Sequence, residues 1–137
     1  MSGPFRLTLP LRFAHCDPAG IAYYPRLLEL CDAVIEDWTA AVIGVDRRAM
    51  HFDMGLGMPT VDLAADFAAM SRVGDPLDFA LGVGRLGRSS IDLKMEVGCR
   101  GERRFAIRYA QVLVRFDTGR AEPWPEDWRA RIEECAK

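Results

Sequence analysis

The sequence predicts an α+β fold in which a mostly antiparallel sheet wraps one long helix. Three features lead to it. Residues 26–38 carry the best stretch of helical spacing, the residues from 60 onward change to a period of two, and the later runs are joined by short turns. An apolar helix face has to be covered, and the sheet is the only partner large enough.

The elements follow in order. Phe5, Leu7, Leu9, Leu11 and Phe13 alternate with Arg6, Thr8 and Arg12, which predicts a first strand over 5–13. Pro10 cannot donate to a ladder, so this strand belongs at an edge or carries a bulge. Ala14-His15-Cys16-Asp17-Pro18-Ala19-Gly20 reads as a loop. In the helix, Leu27, Cys31, Val34, Ile35 and Trp38 share one face; Glu29, Glu36 and Asp37 lie away from it, with Asp32 at its margin. Pro25 suits a first helical turn. Residues 44–59 are irregular, with Gly55 and Gly57 close together.

Four strand runs come next. Val61, Leu63, Ala65 and Phe67 alternate with polar neighbours. Leu77, Phe79, Leu81 and Val83 are entered through the turn Gly74-Asp75-Pro76, and Ile91, Leu93, Met95 and Val97 alternate with Asp92, Lys94 and Glu96. The longest run, 105–116, is apolar on both sides in places, as a central strand is. Gly98-Cys99-Arg100-Gly101 reads as a hairpin turn and Gly87-Arg88-Ser89-Ser90 as a connection, so the strands are expected in meander order. Trp128, Ile132 and Cys135 give the tail helical spacing.

Composition narrows the function classes. The 137 residues suit a single domain, 1–137, and half of them are hydrophobic, enough for a real core. A net charge of −2 gives no electrostatic case for nucleic acid or for an anionic membrane. No apolar run approaches the roughly 20 residues of a bilayer span. The N-terminal residues lack a charged region followed by an apolar run, so no signal peptide is expected and cytoplasmic residence follows as the default. The four cysteines form no Cys-x-x-Cys pair, and with only two histidines no metal site is expected; reduced, packed thiols are the reading.

The chemistry centres on Asp17. It sits between a strand and a helix, and the amides at a helix start are unpaired and carry partial positive charge. A carboxylate beside such donors suits acyl transfer: one attacks the acyl carbon or activates water, the others hold the developing oxyanion. An aspartate in an Asp-Pro loop before a helix equally serves as a turn residue or a cap, and spacing alone leaves both readings open.

Asp17-Pro18-Ala19-Gly20-Ile21-Ala22-Tyr23-Tyr24-Pro25-Arg26 resembles the signature of the 4-hydroxybenzoyl-CoA thioesterase family in its Asp-loop branch. The match is best from Arg12 to Leu30. The resemblance implies the hotdog fold and an acyl-CoA thioesterase that releases a free acid and CoA, with Asp17 as nucleophile or general base and the Tyr24 backbone N–H polarising the thioester carbonyl. It implies that Arg88, Ser89 and Ser90 contact CoA, that Thr60 lines the acyl pocket, and that Asp32 maps near that pocket. From the residues themselves, Arg88 is as well a solvated turn residue and Asp32 a half-solvated helix residue. His15 flanks Asp17 and could tune it or touch substrate. An aromatic, 4-hydroxybenzoyl-like acyl group is the first choice, with short aliphatic chains second. No cofactor is implied, since CoA is part of the substrate. Dimers or tetramers with the site at the dimer interface are implied, so that Asp17 works with Thr60 or Arg88 of a neighbour. Two other readings stand beside this one: a non-catalytic acyl-CoA or acyl-carrier binding module, and a hotdog dehydratase.

Overall fold

The computed structural model describes residues 3–136. β1 (Phe5–Pro10) is followed by a 3-10 turn (Phe13–His15) and the long helix α1 (Tyr24–Trp38). After α1 come β2 (Leu56–Gly57), β3 (Thr60–Phe67), β4 (Pro76–Leu86), β5 (Ser90–Cys99) and β6 (Glu102–Val112). The short strands β7 (Val114–Arg115) and β8 (Arg120–Ala121) precede the closing helix α2 (Glu126–Ala136). The main sheet is antiparallel in the order β1-β4-β5-β6-β3, and β2-β7-β8 form a small second sheet.

Leu27, Cys31, Val34, Ile35 and Trp38 are the buried residues of α1, the face that the spacing predicts. They pack among residues of one sheet face that include Phe79, Leu81, Leu93, Met95, Phe105 and Ile107, all buried. Each large side chain so covered contributes roughly 1.5–3 kcal/mol against exposure. α1 starts at Tyr24 with Pro25 in its first turn and runs on through a π-helical turn, Thr39–Ile43, that Gly44 ends in the left-handed conformation at φ 84°. Pro10 closes β1, which is an edge strand, as the missing donor requires. The strand therefore stops three residues short of the expected 5–13.

Two expectations are corrected. The strands after α1 are not a simple meander: β4, β5 and β6 are, but β3 pairs with β6 at the far edge instead of with β4. Local periodicity says which face a strand buries but not which strand it pairs with. The chain has to cross the end of the sheet between β3 and β4, and residues 68–75 form that crossover. The run 105–116 is also not one strand. β6 stops at Val112, and Val114–Arg115 turn into the small sheet beside Leu56–Gly57. The expected hairpin turn is present: Arg100 and Gly101, at φ 50° and 82°, are the two left-handed residues a tight β5–β6 turn needs.

Candidate active site

The loop that carries Asp17 is a small closed structure. Cys16 and Ala22 bridge across it, the Tyr23 N–H donates to the His15 carbonyl at 3.0 Å, and the Asp17 N–H donates to the Ile21 carbonyl at 2.9 Å. Gly20, at φ 77°, makes the reversal that brings Ile21 back. Inside this loop the carboxylate has two unlike oxygens. Oδ1 accepts from the Ala19 N–H at 2.9 Å and from the Ile21 N–H at 3.2 Å. Oδ2 has no hydrogen bond among the described residues, and Asp17 is exposed. One oxygen is tethered, and the other is not.

Tyr24 begins α1 two residues after Ala22 closes the bridge. Pro25 has no N–H, and the Arg26 N–H is used on the Tyr23 carbonyl at 2.8 Å. Among the described residues the Tyr24 amide has no acceptor, and it stands at the positive end of the helix dipole. Beside it, Ile21, Ala22, Tyr24 and Leu27 form one wall of a mainly apolar groove of about 280 Å³, and Phe67 to Ser71 form the other. The groove thus starts at the residue that tethers Asp17 and runs to the end of β3.

His15 is engaged elsewhere. Its Nδ1 accepts from the Arg12 N–H at 3.0 Å, which places the proton of the neutral ring on Nε2. Cys16 is half-buried, its thiol donating to the Arg12 carbonyl at 3.4 Å; burial, with the Asp17 charge second, raises its pKa, so it is a poor nucleophile.

Asp32 lies further along α1. Burial of its inner side raises its pKa, and the charge of Arg47 opposes that rise. The neighbouring Cys31 thiol is pushed up to about 12 by burial. Tyr109 of β6 approaches both residues, and burial raises its phenol in turn, with the charges of Cys31 and Asp32 adding to the effect. Among the described residues the Tyr109 hydroxyl has no hydrogen-bond partner of normal geometry, although it lies close enough to Cys31 to influence its titration.

Thr60 and the Arg88 segment stand together, but far from Asp17. Thr60 accepts a hydrogen bond from the Gln111 side chain at 3.1 Å, and Ser90 pairs with Val112, one residue on. The Arg88 and Ser89 carbonyls accept from the Trp124 and Leu113 amides, and the Ser90 carbonyl accepts from the Trp124 indole. The segment is braced through its backbone, while the Arg88 guanidinium is exposed and makes no hydrogen bond or ion pair among the described residues. Phe67, beside the Asp17 loop, pairs with Phe105, and Thr60 pairs with Gln111 at the other end of β3. At about 3.3 Å per residue these ends are roughly 23 Å apart. One chain brings Asp17 and Tyr24 together, but not Asp17 with Thr60, Arg88, Ser89 or Ser90.

A further cluster had no signal in the sequence. Arg104, buried at 9% exposure, pairs with Asp75 at 2.6 Å and touches Ser71 at 3.2 Å, beneath the crossover that flanks the Asp17 loop. Asp75 sits in what reads as an ordinary turn and Arg104 in a charged run, so only three-dimensional proximity joins them.

The thioesterase-like superfamily matches residues 11–132, from the end of β1 into α2. The chain belongs to this superfamily. Its class, thioester hydrolase, is the one the Asp17 signature implied. Among the curated members of the superfamily, the 1,4-dihydroxy-2-naphthoyl-CoA hydrolase of Thermosynechococcus vestitus is 32% identical over 103 residues, covering 75% of this chain and 70% of that one. The hydrolase of the same name from Synechococcus elongatus is 26% identical over 122 residues, covering 86% and 89%. A thioesterase-superfamily structure from Jannaschia sp. CCS1 superposes with a TM-score of 0.88 at 25% identity, over 98% of this chain and 94% of that one. A Staphylococcus aureus protein solved in complex with CoA superposes with a TM-score of 0.90 at 12% identity, over 99% and 86%, and shares the fold. The hotdog fold is thereby established. The family is broader than the 4-hydroxybenzoyl-CoA branch that the motif resembles. Among the described residues no helix is long and apolar enough to cross a membrane.

Proposed function

We propose that the protein hydrolyses an aromatic acyl-CoA thioester to the free acid and CoA. The observation that carries this reading is the divided state of the Asp17 carboxylate. Its Oδ1 is tied to two amides while Oδ2 stays open, and the unpaired Tyr24 N–H stands a short loop away at the head of the same groove. In this reading the acyl group lies in the groove with its carbonyl oxygen on the Tyr24 amide. Either Oδ2 draws a proton from a water that attacks the acyl carbon, the carbon–sulfur bond breaks, and CoA leaves as a thiol with that proton; or Oδ2 itself attacks, CoA leaves as a thiolate, and a water then cleaves the acyl–Asp17 anhydride, giving the acid, restoring the carboxylate and supplying the proton that makes the thiol. The balance is thioester plus water to acid plus thiol, and it needs no metal or organic cofactor. The relatives' activity on a dihydroxynaphthoyl-CoA supports an aromatic acyl group.

The reading includes a homodimer, alone or within a homotetramer. β3 is an edge strand whose Val61, Leu63 and Phe67 are 62%, 42% and 46% exposed, an apolar edge that invites a further strand. A two-fold axis beside β3 sets the Thr60 end of one copy against the Phe67 end of the other. That brings Thr60 and Arg88, Ser89 and Ser90 of a second copy to the groove, with Arg88 toward the CoA phosphates. Asp32 and His15 are assigned to the acyl side of the same site.

The test is thiol release from a panel of aromatic and short aliphatic CoA esters, with Asp17→Asn as control. Release from an aromatic ester that Asp17→Asn abolishes supports the proposal. Tight binding of CoA esters without thiol release makes the protein a binding module. Dehydration of a 3-hydroxyacyl-CoA without thiol release makes it a dehydratase.

A further inference from the structure

The Arg104–Asp75 ion pair lies outside the Asp17 loop, yet its contacts lead back to it. β5 and β6 slip register between Val97 and Gly98, so that Arg104 is the extra residue of a β-bulge. The bulge turns both Arg104 and Phe105 inward, and both are buried. The guanidinium meets Asp75 Oδ2 at 2.6 Å, Glu102 Oε1 at 2.5 Å and the Ser71 hydroxyl at 3.2 Å. The Arg104 carbonyl accepts the Ala68 and Ala69 amides. Apart from Glu102, every partner belongs to the 68–75 crossover.

The other side of the crossover is bonded to the Asp17 loop. The Ala22 N–H donates to the Ser71 carbonyl at 2.9 Å, the Val73 N–H donates to the Gly20 carbonyl at 2.9 Å, and Ile21 bridges to Arg72. The Arg72 N–H in turn donates to Asp75 Oδ2 at 2.9 Å. Leu11, where the chain leaves β1 toward the loop, exchanges backbone hydrogen bonds with Gly74 and Asp75. A path therefore runs from the Arg104 guanidinium through Asp75 to the Ser71–Arg72 peptide, whose carbonyl takes the Ala22 amide, and so to Ile21, the next residue back, whose amide holds Asp17 Oδ1. A buried ion pair is a costly way to hold two segments together when apolar packing would do, but it sets a distance and a direction that apolar packing does not.

We propose that the Arg104–Asp75 pair is a positioning device for the proposed hydrolysis, fixing the crossover so that Ile21 holds the Asp17 carboxylate in its attacking orientation. Neither residue touches the reacting atoms. The inference rests on the hydrolytic reading for its meaning, but the tether itself can be measured without turnover.

The experiment compares wild type with Asp75→Asn by amide hydrogen exchange and by steady-state kinetics on the best CoA ester. Asn keeps the side-chain size and removes the charge. Exchange at Ala19, Ile21 and Ala22 is expected to accelerate about 10-fold or more while the β4–β5 amides are unchanged, and kcat to fall roughly 10–100-fold with KM within about threefold, as for a misplaced reacting group. Arg104→Lys keeps the charge but not the fork that also reaches Ser71 and Glu102, and it should lie between the two. Ser71→Ala removes one contact, leaves the pair intact, and should show the same local pattern at smaller amplitude if Asp75→Asn does not fold. Unchanged exchange and kcat in folded Asp75→Asn overturn the proposal. So does faster exchange spread evenly over the sheet, which marks a general staple. Local acceleration in a protein whose wild type cleaves no CoA ester leaves the tether standing and removes the hydrolytic reading instead.

Discussion

Ile21 holds Asp17 from two sides: its carbonyl accepts the Asp17 amide at 2.9 Å, and its amide donates to the Asp17 carboxylate at 3.2 Å. The backbone and the side chain of the aspartate are thus referred to the same residue. A carboxylate held in this way cannot rotate freely, and its open oxygen keeps one direction relative to the start of α1.

Asp17→Asn preserves this arrangement, because an amide oxygen accepts from Ala19 and Ile21 as the carboxylate does. Turnover is expected to fall by about 10²-fold or more, the loss of a positioned acid–base group, with the melting temperature close to wild type. Near-normal thiol release by the folded variant would remove Asp17 from the chemistry.

In the proposed dimer, the roughly 23 Å between the ends of β3 divides the site between two copies. Arg88→Ala should raise KM for CoA esters more than it lowers kcat. After subunit exchange, an equal mixture of Asp17→Asn and Arg88→Ala proteins should recover about a quarter of wild-type kcat/KM, because each mixed dimer contains one intact site. A mixture no more active than the average of its parents refutes a shared site.

Leu63, 42% exposed, lies on the edge strand to which the proposed second copy would add. Leu63→Lys should leave the single chain folded, shift the protein to monomer in sedimentation velocity, and abolish thiol release, since a charge on an exposed strand edge blocks pairing. An active monomer would show that the second copy is dispensable.

The Arg104 guanidinium, and after it the Arg72 amide, holds the Asp75 carboxyl below its ordinary pKa. A depressed folded-state value means the stabilisation is complete above the unfolded pKa of about 3.9 and disappears as pH falls through the folded value. Wild type should exceed Asp75→Asn by about 2 kcal/mol in urea unfolding at pH 7, the worth of a hydrogen bond to a charged group. The gap should close as pH falls through that depressed folded-state value. A gap that does not depend on pH would mean that the pair's charge contributes nothing.

Trp38 is fully buried, and its indole N–H has no acceptor among the described residues. Trp38→Ala should cost about 4 kcal/mol through the cavity it leaves. Trp38→Phe should cost only about 1 kcal/mol, because removing an unpaired buried donor offsets much of the lost area. Equal costs in denaturant titrations would mean that the N–H is satisfied in solution.

What was legible in the sequence was local. The face formed by Leu27, Cys31, Val34, Ile35 and Trp38 follows from helical spacing, and the Asp17 loop and Pro25 follow from chain chemistry that needs no distant partner. The place of β3 beside β6 was not legible, because a period of two sets which side chains turn inward and leaves the choice of neighbour to the whole sheet. Arg104 was illegible for a related reason. Strict alternation would put it opposite to Phe105, and only the bulge turns both inward. Thr60 and Arg88 were placed by resemblance alone, and a single chain sets them at the far end of the strand from Asp17.

The crossover also imposes a timetable on the molecule as it is made. Asp17 and Tyr24 leave the ribosome well before Arg104, which anchors the segment they lean on. At roughly 10 residues per second the nascent loop waits several seconds for its anchor. During that interval a truncated or stalled chain would carry the Asp17 carboxylate without the anchor that fixes its direction.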